Sequence, residues 1–289
     1  MSFSSQVKEE LEKVIPGARH CQLAELAAIV AYGYVLKEDS SGLQLERKSE
    51  NEIIARKYFT LLKKTDIIDA GVSKVLQTLK MLDESGNPCS LSEGINPLLL
   101  KRSCCKRAYL RGVFLCIGSM SDPMKGYHLE FVCEQEGQAL QIRSMLADFE
   151  LEAKIICRKK HYVVYMKEGA AIVDLLNVMA ARLSLMELEN LRVEKEVRNS
   201  VNRKVNCEAA NITKTVHAAS KQIEDILYLQ KHYGMEKLPE NLREMAEVRL
   251  EYPESSLQEL GRYLNPSVGK SGVNHRLRKL SELADKIRA

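Results

Sequence analysis

The stretch Lys270-Ser-Gly-Val-Asn-His-Arg-Leu-Arg-Lys279, near the C-terminus, carries the side chains best suited to act on a partner. Val273, Leu277, Leu280, Ala284 and Ile287 recur at spacings of 4, 3, 4 and 3, the signature of one apolar helical face. With that face turned to a core, Lys270, Ser271, Asn274, His275, Arg278 and Lys279 point outward, with Arg276 at the flank. An Asn amide pairs with two atoms on the edge of adenine, and an Arg guanidinium does the same with guanine. Ser271 and the free N–H groups of a helix start suit a phosphate. The chemistry is recognition of nucleic acid.

A second polar run, Arg198-Asn-Ser-Val-Asn-Arg-Lys-Val-Asn206, sets Asn199, Asn202 and Asn206 on one helical face with Arg198, Arg203 and Lys204 beside it. Asn is a poor helix former, so three on one face imply hydrogen-bonding work. Two roles fit: contact with DNA phosphates, which positions without reading sequence, or pinning of this segment to a neighbouring domain.

The elements that must position these residues follow from capping and periodicity. Ser255 and Ser256, with Gln258 and Glu259 three residues on, form a capping-box pattern ahead of a helix burying Leu257, Leu260 and Leu264. The turn Asn265–Lys270 follows, and Ser271 caps the last helix. Helix, tight turn, basic helix is the plan of a helix-turn-helix reader. Upstream, a helix with Ile212, Val216, Ala219, Ile223 and Ile226 ends at Gly234, and Pro253 stops the next one.

The N-terminal part is built differently. Glu25-Leu-Ala-Ala-Ile-Val-Ala-Tyr-Gly33 and Ala108–Ser119 are two copies of one element: Ala27 and Gly112, Ala31 and Cys116, and Gly33 and Gly118 are each 85 apart. The stripe of small residues predicts two helices in close approach. Each repeat is expected to run helix, strands, helix, strand pair, helix. In the first, a turn at Lys37–Gly42, a strand from Leu43, a helix over Glu52–Lys64, strands near Asp66–Ala70 and Lys74–Leu82 and a helix over Leu91–Leu100 are expected. In the second, helices fall over Cys105–Gly118, Glu136–Phe149 and Ala170–Arg182. Strands fall over Tyr127–Cys133, Ala153–Cys157 and His161–Met166.

Composition narrows the function classes. Of the net charge of +4, residues 1–197 contribute none, with 27 basic and 27 acidic side chains; residues 198–289 hold 16 against 12. The last 21 residues alone carry six basic and two acidic groups, as a DNA-binding tail domain would. The eight cysteines include no C-x-x-C pair, and Cys104-Cys105 are adjacent, which matches neither a zinc spacing nor a disulfide framework. Reduced thiols and a cytoplasmic location are expected, with no cofactor, no metal and no small-molecule substrate. No apolar run is long enough for a membrane span, and the N-terminus has no signal-peptide pattern. There is no phosphate loop, H-E-x-x-H or nucleophile elbow, and the histidines at 20, 128, 161, 217, 232 and 275 are dispersed.

Arg198-Asn-Ser-Val-Asn-Arg-Lys-Val-Asn-Cys-Glu-Ala-Ala-Asn-Ile-Thr-Lys214 and Gly269-Lys-Ser-Gly-Val-Asn-His-Arg-Leu-Arg-Lys279 closely resemble the WhiA family of Gram-positive bacteria. Tyr109-Leu-Arg-Gly-Val-Phe114, Tyr127-His-Leu-Glu130 and Leu242-Arg-Glu-Met-Ala246 add to the resemblance, which covers nearly the whole chain. It implies an α+β fold: a duplicated LAGLIDADG homing-endonuclease-like domain over 1–190 (repeats at about 20–100 and 104–190), then an Asn-rich basic linker over 191–210. An all-α helix-turn-helix domain over 211–289 follows. It also implies a DNA-binding transcriptional regulator linked to cell division, chromosome segregation and, in spore formers, sporulation. Double-stranded DNA at the nucleoid is the implied partner, with another transcription factor or RNA polymerase as the protein partner to test. In an active homing endonuclease an acid precedes the final Gly of each motif helix and holds the metal. Here those positions are Tyr32 and Ile117, so the resemblance implies a catalytically inactive nuclease domain. The alternative is a diverged metal-dependent DNA endonuclease using Asp122 with Glu38 or Asp39.

Overall fold

The computed structural model describes residues 2–39 and 42–288, apart from the side chain of Asp39. The chain divides into two compact units, Met1–Glu196 and Val197–Ala289. No helix among the described residues is long and apolar enough to cross a membrane.

The first unit is organised on two helices, α2 (Arg19–Gly33) and α5 (Ser103–Ile117), packed along their length. Gly112 makes the approach possible: a Cβ there would stand 2.7 Å from the Glu25 carbonyl oxygen and 2.8 Å from the Ala28 Cβ. At the far end, a Cβ on Gly33 would stand 3.2 Å from the Cys116 sulfur. Of the expected stripe, Gly112 and Cys116 thus sit at the seam, and Ala27 and Ala31 are buried on the partner helix. α1 (Phe3–Lys13) lays Phe3, Val7 and Leu11 on this core.

The second repeat is complete. After α5 come β3 (Gly118–Met120), β4 (Leu129–Cys133), α6 (Glu136–Ala147), β5 (Lys154–Arg158), β6 (His161–Met166) and α7 (Gly169–Met179). The four strands form an antiparallel sheet in the order β3-β4-β6-β5. Leu129, Phe131 and Cys133 alternate into the core while Val132 is exposed. The basic turn between β5 and β6 carries Lys159 at φ +57°.

The first repeat departs from expectation. Of the turn expected at Lys37–Gly42, Lys37–Asp39 and Gly42 are strand and residues 40 and 41 lie outside the described residues: β1 (Tyr34–Asp39) pairs antiparallel with β2 (Gly42–Arg47). α3 (Glu52–Lys64) follows, capped by Asn51, whose Oδ1 accepts the Ile53 N–H at 3.0 Å. The strand pair expected near 66–82 is replaced by a short helix, α4 (Val72–Thr78). Val75, Leu76 and Leu79 share one helical face and are buried, a spacing a strand would split between two faces. The helix expected over 91–100 shrinks to a 3₁₀ turn, Pro97–Leu100, with Gly94 at φ +94° just before it. Among the described residues, then, the first repeat has a hairpin where the second has a four-stranded sheet.

α8 (Arg182–His232) runs 51 residues, and the whole of 191–210 lies within it as helix. Its start belongs to the first unit: the Leu183 and Ser184 N–H groups donate to the Glu10 carboxylate at 2.7 and 2.9 Å. Its last turns belong to the second unit. Ile226 and Leu229 there join a core with α9 (Glu240–Glu251), α10 (Leu257–Tyr263) and α11 (Lys270–Arg288).

Candidate nucleic-acid interface

α10 and α11 set the interface. Ser256 caps α10 reciprocally: the Glu259 carboxylate accepts the Ser256 N–H at 2.8 Å, and the Ser256 hydroxyl accepts the Glu259 N–H at 3.4 Å. This hydrogen bonding holds the Glu259 carboxyl below the usual carboxylate range. After α10 the chain folds back so tightly that the Val268 N–H donates to the Gly261 carbonyl at 2.8 Å. A Cβ on Gly261 would stand 2.0 Å from the Val268 carbonyl oxygen, so only glycine fits. The turn delivers the chain into α11 at Lys270, so Ser271, expected as the cap, is the second residue of the helix.

Val273, Leu277, Leu280 and Ala284 are buried and Ile287 is partly so, as their spacing predicts. The opposite face is open. Lys270, Ser271, Asn274, His275, Arg278 and Lys279 are all exposed. Among the described residues, none of Lys270, Ser271, Asn274, His275 and Lys279 has a side-chain hydrogen bond or ion pair. Arg278 pairs with Glu282 one turn on at 2.9 Å, both exposed, a contact of the kind that contributes little and that a phosphate or base can replace.

Arg276, at the flank of the expected set, is partly buried. Its guanidinium folds onto α9, 3.4 Å from the Asn241 carbonyl and 3.7 Å from the Glu244 carboxylate. Position 276 lies beside the buried row, three residues from Val273, and its long stem reaches the neighbouring helix. It braces the motif. Asn199, Asn202, Arg203, Lys204 and Asn206 are exposed on α8, as is Arg198. The Arg203 Nε donates to the Asn199 carbonyl at 3.3 Å.

The positions where a nuclease would carry acids hold other groups. Tyr32 is buried, its hydroxyl 3.1 Å from that of Tyr109, and Tyr109 in turn donates to Gln141 at 3.2 Å. Burial raises the pKa of both phenols, so both stay neutral. Ile117 is half-buried and apolar. Asp122 is exposed and accepts the Met124 N–H at 2.9 Å in a local turn; Glu38 is exposed on β1. The side chain of Asp39 lies outside the described residues. Among those residues, the His, Cys, Asp and Glu side chains that converge as metal ligands would are His20, Cys21, Cys104 and Cys105, a set without Glu38 or Asp122.

One buried arrangement was missed by sequence reasoning. Glu25 on α2 is fully buried and meets Lys57 Nζ at 3.1 Å and Arg111 Nε at 3.0 Å. Lys57 also donates to the carbonyls of Leu11, Glu12 and Val14, and Arg111 to that of Met179 at 2.9 Å. An acid within the apolar seam helix was its only signal.

A two-repeat α+β unit with a sheet in its second repeat, followed by a helical unit ending in a tight helix-turn-helix, defines a LAGLIDADG-like domain joined to a helix-turn-helix domain. The comparisons agree: residues 106–198 match the WhiA LAGLIDADG-like domain and residues 201–284 the WhiA C-terminal HTH domain. Along its whole length the chain is 49% identical to the probable cell division protein WhiA of Lachnoclostridium phytofermentans, covering 100% of both chains. It is 46% identical to that of Alkaliphilus oremlandii, covering 99% of this chain and 98% of the relative. The crystal structure of full-length WhiA from Thermatoga maritima superposes with a TM-score of 0.57 at 28% identity over 99% of each chain. The chain belongs to the WhiA family.

Proposed function

We propose that the protein is a sequence-specific DNA-binding regulator of cell division, with α11 as the element that reads bases. The open polar face of α11, presented by a turn that only glycine at 261 permits, carries this reading. The net charge of +4 resides wholly in residues 198–289, and the relatives are named as probable cell division proteins. Asn274 and Arg278 are the base readers. Lys270, Ser271 and Lys279 hold phosphates, and His275 flanks them. The exposed Asn and basic residues at 198–206 add phosphate contacts or hold a neighbouring domain. The protein acts at the nucleoid, in chromosome segregation and, in a spore former, sporulation, with a transcription factor or RNA polymerase as its protein partner.

The first unit does not cut DNA. Tyr32 and Ile117 offer no carboxylate where metal would be held, and Mg²⁺ sites are built from carboxylates and waters. Its sheet supplies a surface of mixed character. Glu130 pairs with His128 at 2.9 Å and with Arg158 at 3.7 Å, and Val132 and Ile156 are exposed. Such a face suits protein better than a phosphate backbone.

The test is a footprint at the protein's genomic sites. Asn274→Ala with Arg278→Ala is expected to abolish the specific footprint, each contact contributing roughly 1–3 kcal/mol of discrimination, while retaining weak non-specific binding. An unchanged footprint would remove α11 from the reading role. Supercoiled DNA incubated with the protein and Mg²⁺ or Mn²⁺ is expected to stay intact; cleavage lost on Asp122→Ala would restore the nuclease reading.

A further inference from the structure

The two seam helices begin alike. His20-Cys21 are the second and third residues of α2, and Cys104-Cys105 are the second and third residues of α5. The pairing of the helices brings these four side chains together, with ligand atoms all within 4.8 Å of one another. The His20 Nδ1 lies 3.2 Å from the Cys21 sulfur and 3.2 Å from the Cys105 sulfur. Ala24 and Ala108, one turn further along, are fully or almost fully buried beneath the two inner thiols and leave room for the approach.

We propose that His20, Cys21, Cys104 and Cys105 bind one thiophilic divalent cation, zinc by preference, as a structural clamp between the two repeats. Three sulfurs and one imidazole nitrogen are a set that closes a tetrahedral zinc site. Zinc–sulfur bonds of about 2.3 Å place tetrahedral sulfurs roughly 3.8 Å apart, and the imidazole nitrogen about 3.5 Å from each, so atoms now as far as 4.8 Å apart close up while His20, 3.2 Å from two sulfurs, backs off slightly. Cys21 and Cys105 are buried while Cys104 is exposed, which gives the ion a way in. Burial and the neighbouring thiols push the Cys21 thiol up to about 12 and raise that of Cys105, so in the metal-free protein these two thiols are neutral. Binding therefore releases protons. It also alters one contact: the Arg102 guanidinium lies 3.2 Å from the His20 Nε2. With the cation on Nδ1, Nε2 carries the ring proton, and Arg102 must turn away.

No linear spacing announces this site. The usual zinc signature puts ligands two to four residues apart within one loop. Here each half is an adjacent pair, and the halves are 83 residues apart, from Cys21 to Cys104.

The experiment uses the full chain purified under reducing conditions. Metal content is measured by mass spectrometry, followed by chelation and titration with Co²⁺. The expected result is one zinc per chain, and a Co²⁺ form with the thiolate charge-transfer and tetrahedral ligand-field absorption of a sulfur-rich site. Cys104→Ser, at an exposed position, is expected to weaken metal binding at least tenfold while circular dichroism stays native. Cys157→Ser and Cys207→Ser, also exposed, leave it unchanged. Zinc should raise the melting temperature of the parent chain and not that of Cys104→Ser. Absence of stoichiometric metal with all eight thiols free to react, metal insensitive to Cys104→Ser, or a disulfide joining Cys21 to Cys104 or Cys105 in the protein from cells would each overturn the proposal.

Discussion

Arg111 shows how one side chain serves the whole seam. It sits on α5, is almost fully buried, and answers the fully buried Glu25 of α2 while donating to the end of α7. Burial lowers the Lys57 pKa and Glu25 pulls it back up, so the lysine charge depends on the acid. One Glu25 oxygen has no hydrogen-bond partner, which leaves that carboxylate reliant on its two cations. Removing the acid of such a group strands its two cations, at a cost of about 3–5 kcal/mol. Glu25→Ala is therefore expected to destabilise the protein by that amount in urea unfolding followed by tyrosine fluorescence. The triple change Glu25→Leu, Lys57→Met, Arg111→Met should recover only part, because Lys57 also satisfies three carbonyls of α1 and its C-terminal end. A triple variant no better than Glu25→Ala would show that stranded charge is not the source of the cost. At this scale the sequence was readable where residues face outward in a row, as on α11. It was silent where a partner comes from far along the chain: Glu25 and Arg111 are 86 residues apart, and Arg276 is held from α9.

At the scale of elements, the helix-turn-helix was legible because its parts are local. The cap at Ser256, the apolar spacing of α11 and the loop between them are all written within about 35 residues. Gly261 was not singled out, since its role depends on where Val268 returns. Gly261→Ala pushes a methyl group into that carbonyl oxygen at 2.0 Å, which exceeds the few tenths of an ångström a side chain can yield. The turn must open, and α11 loses its seat on α10. The variant is expected to lose specific DNA binding while hydrogen exchange in α2 and α5 stays at the parent level. Intact binding by Gly261→Ala would show that the turn tolerates a wider form. The first repeat was misread for the opposite reason. Val72–Thr78 is a short apolar segment, and over seven residues a buried helix and a buried strand look alike. Only the burial of Val75, Leu76 and Leu79 on one side separates them. The length of α8 was also hidden: its Asn-rich part lowers helix propensity, yet the helix runs through it.

At the scale of the whole molecule, charge is distributed unevenly: none net over residues 1–197, and +4 over the remainder. Counterion release turns this into a measurable slope. Each phosphate neutralised on duplex DNA contributes about −0.9 to the dependence of log K on log salt. Lys270 and Lys279 on α11 and Arg203 and Lys204 on α8 are exposed, so phosphate contacts through the second unit give a slope of roughly −3 to −4. Lys279→Ala is expected to reduce the magnitude by about one unit for specific and random DNA alike, as a phosphate contact does. Asn274→Ala carries no charge change, so it should leave the slope in place and lower only the ratio of specific to random binding. Arg276→Ala should alter neither once folded, because that guanidinium is spent on Glu244 and Asn241. A slope far steeper than four contacts allow, surviving Lys279→Ala and Lys270→Ala, would mean that the first unit also grips DNA, through a surface whose Glu130, His128 and Arg158 are already paired with one another.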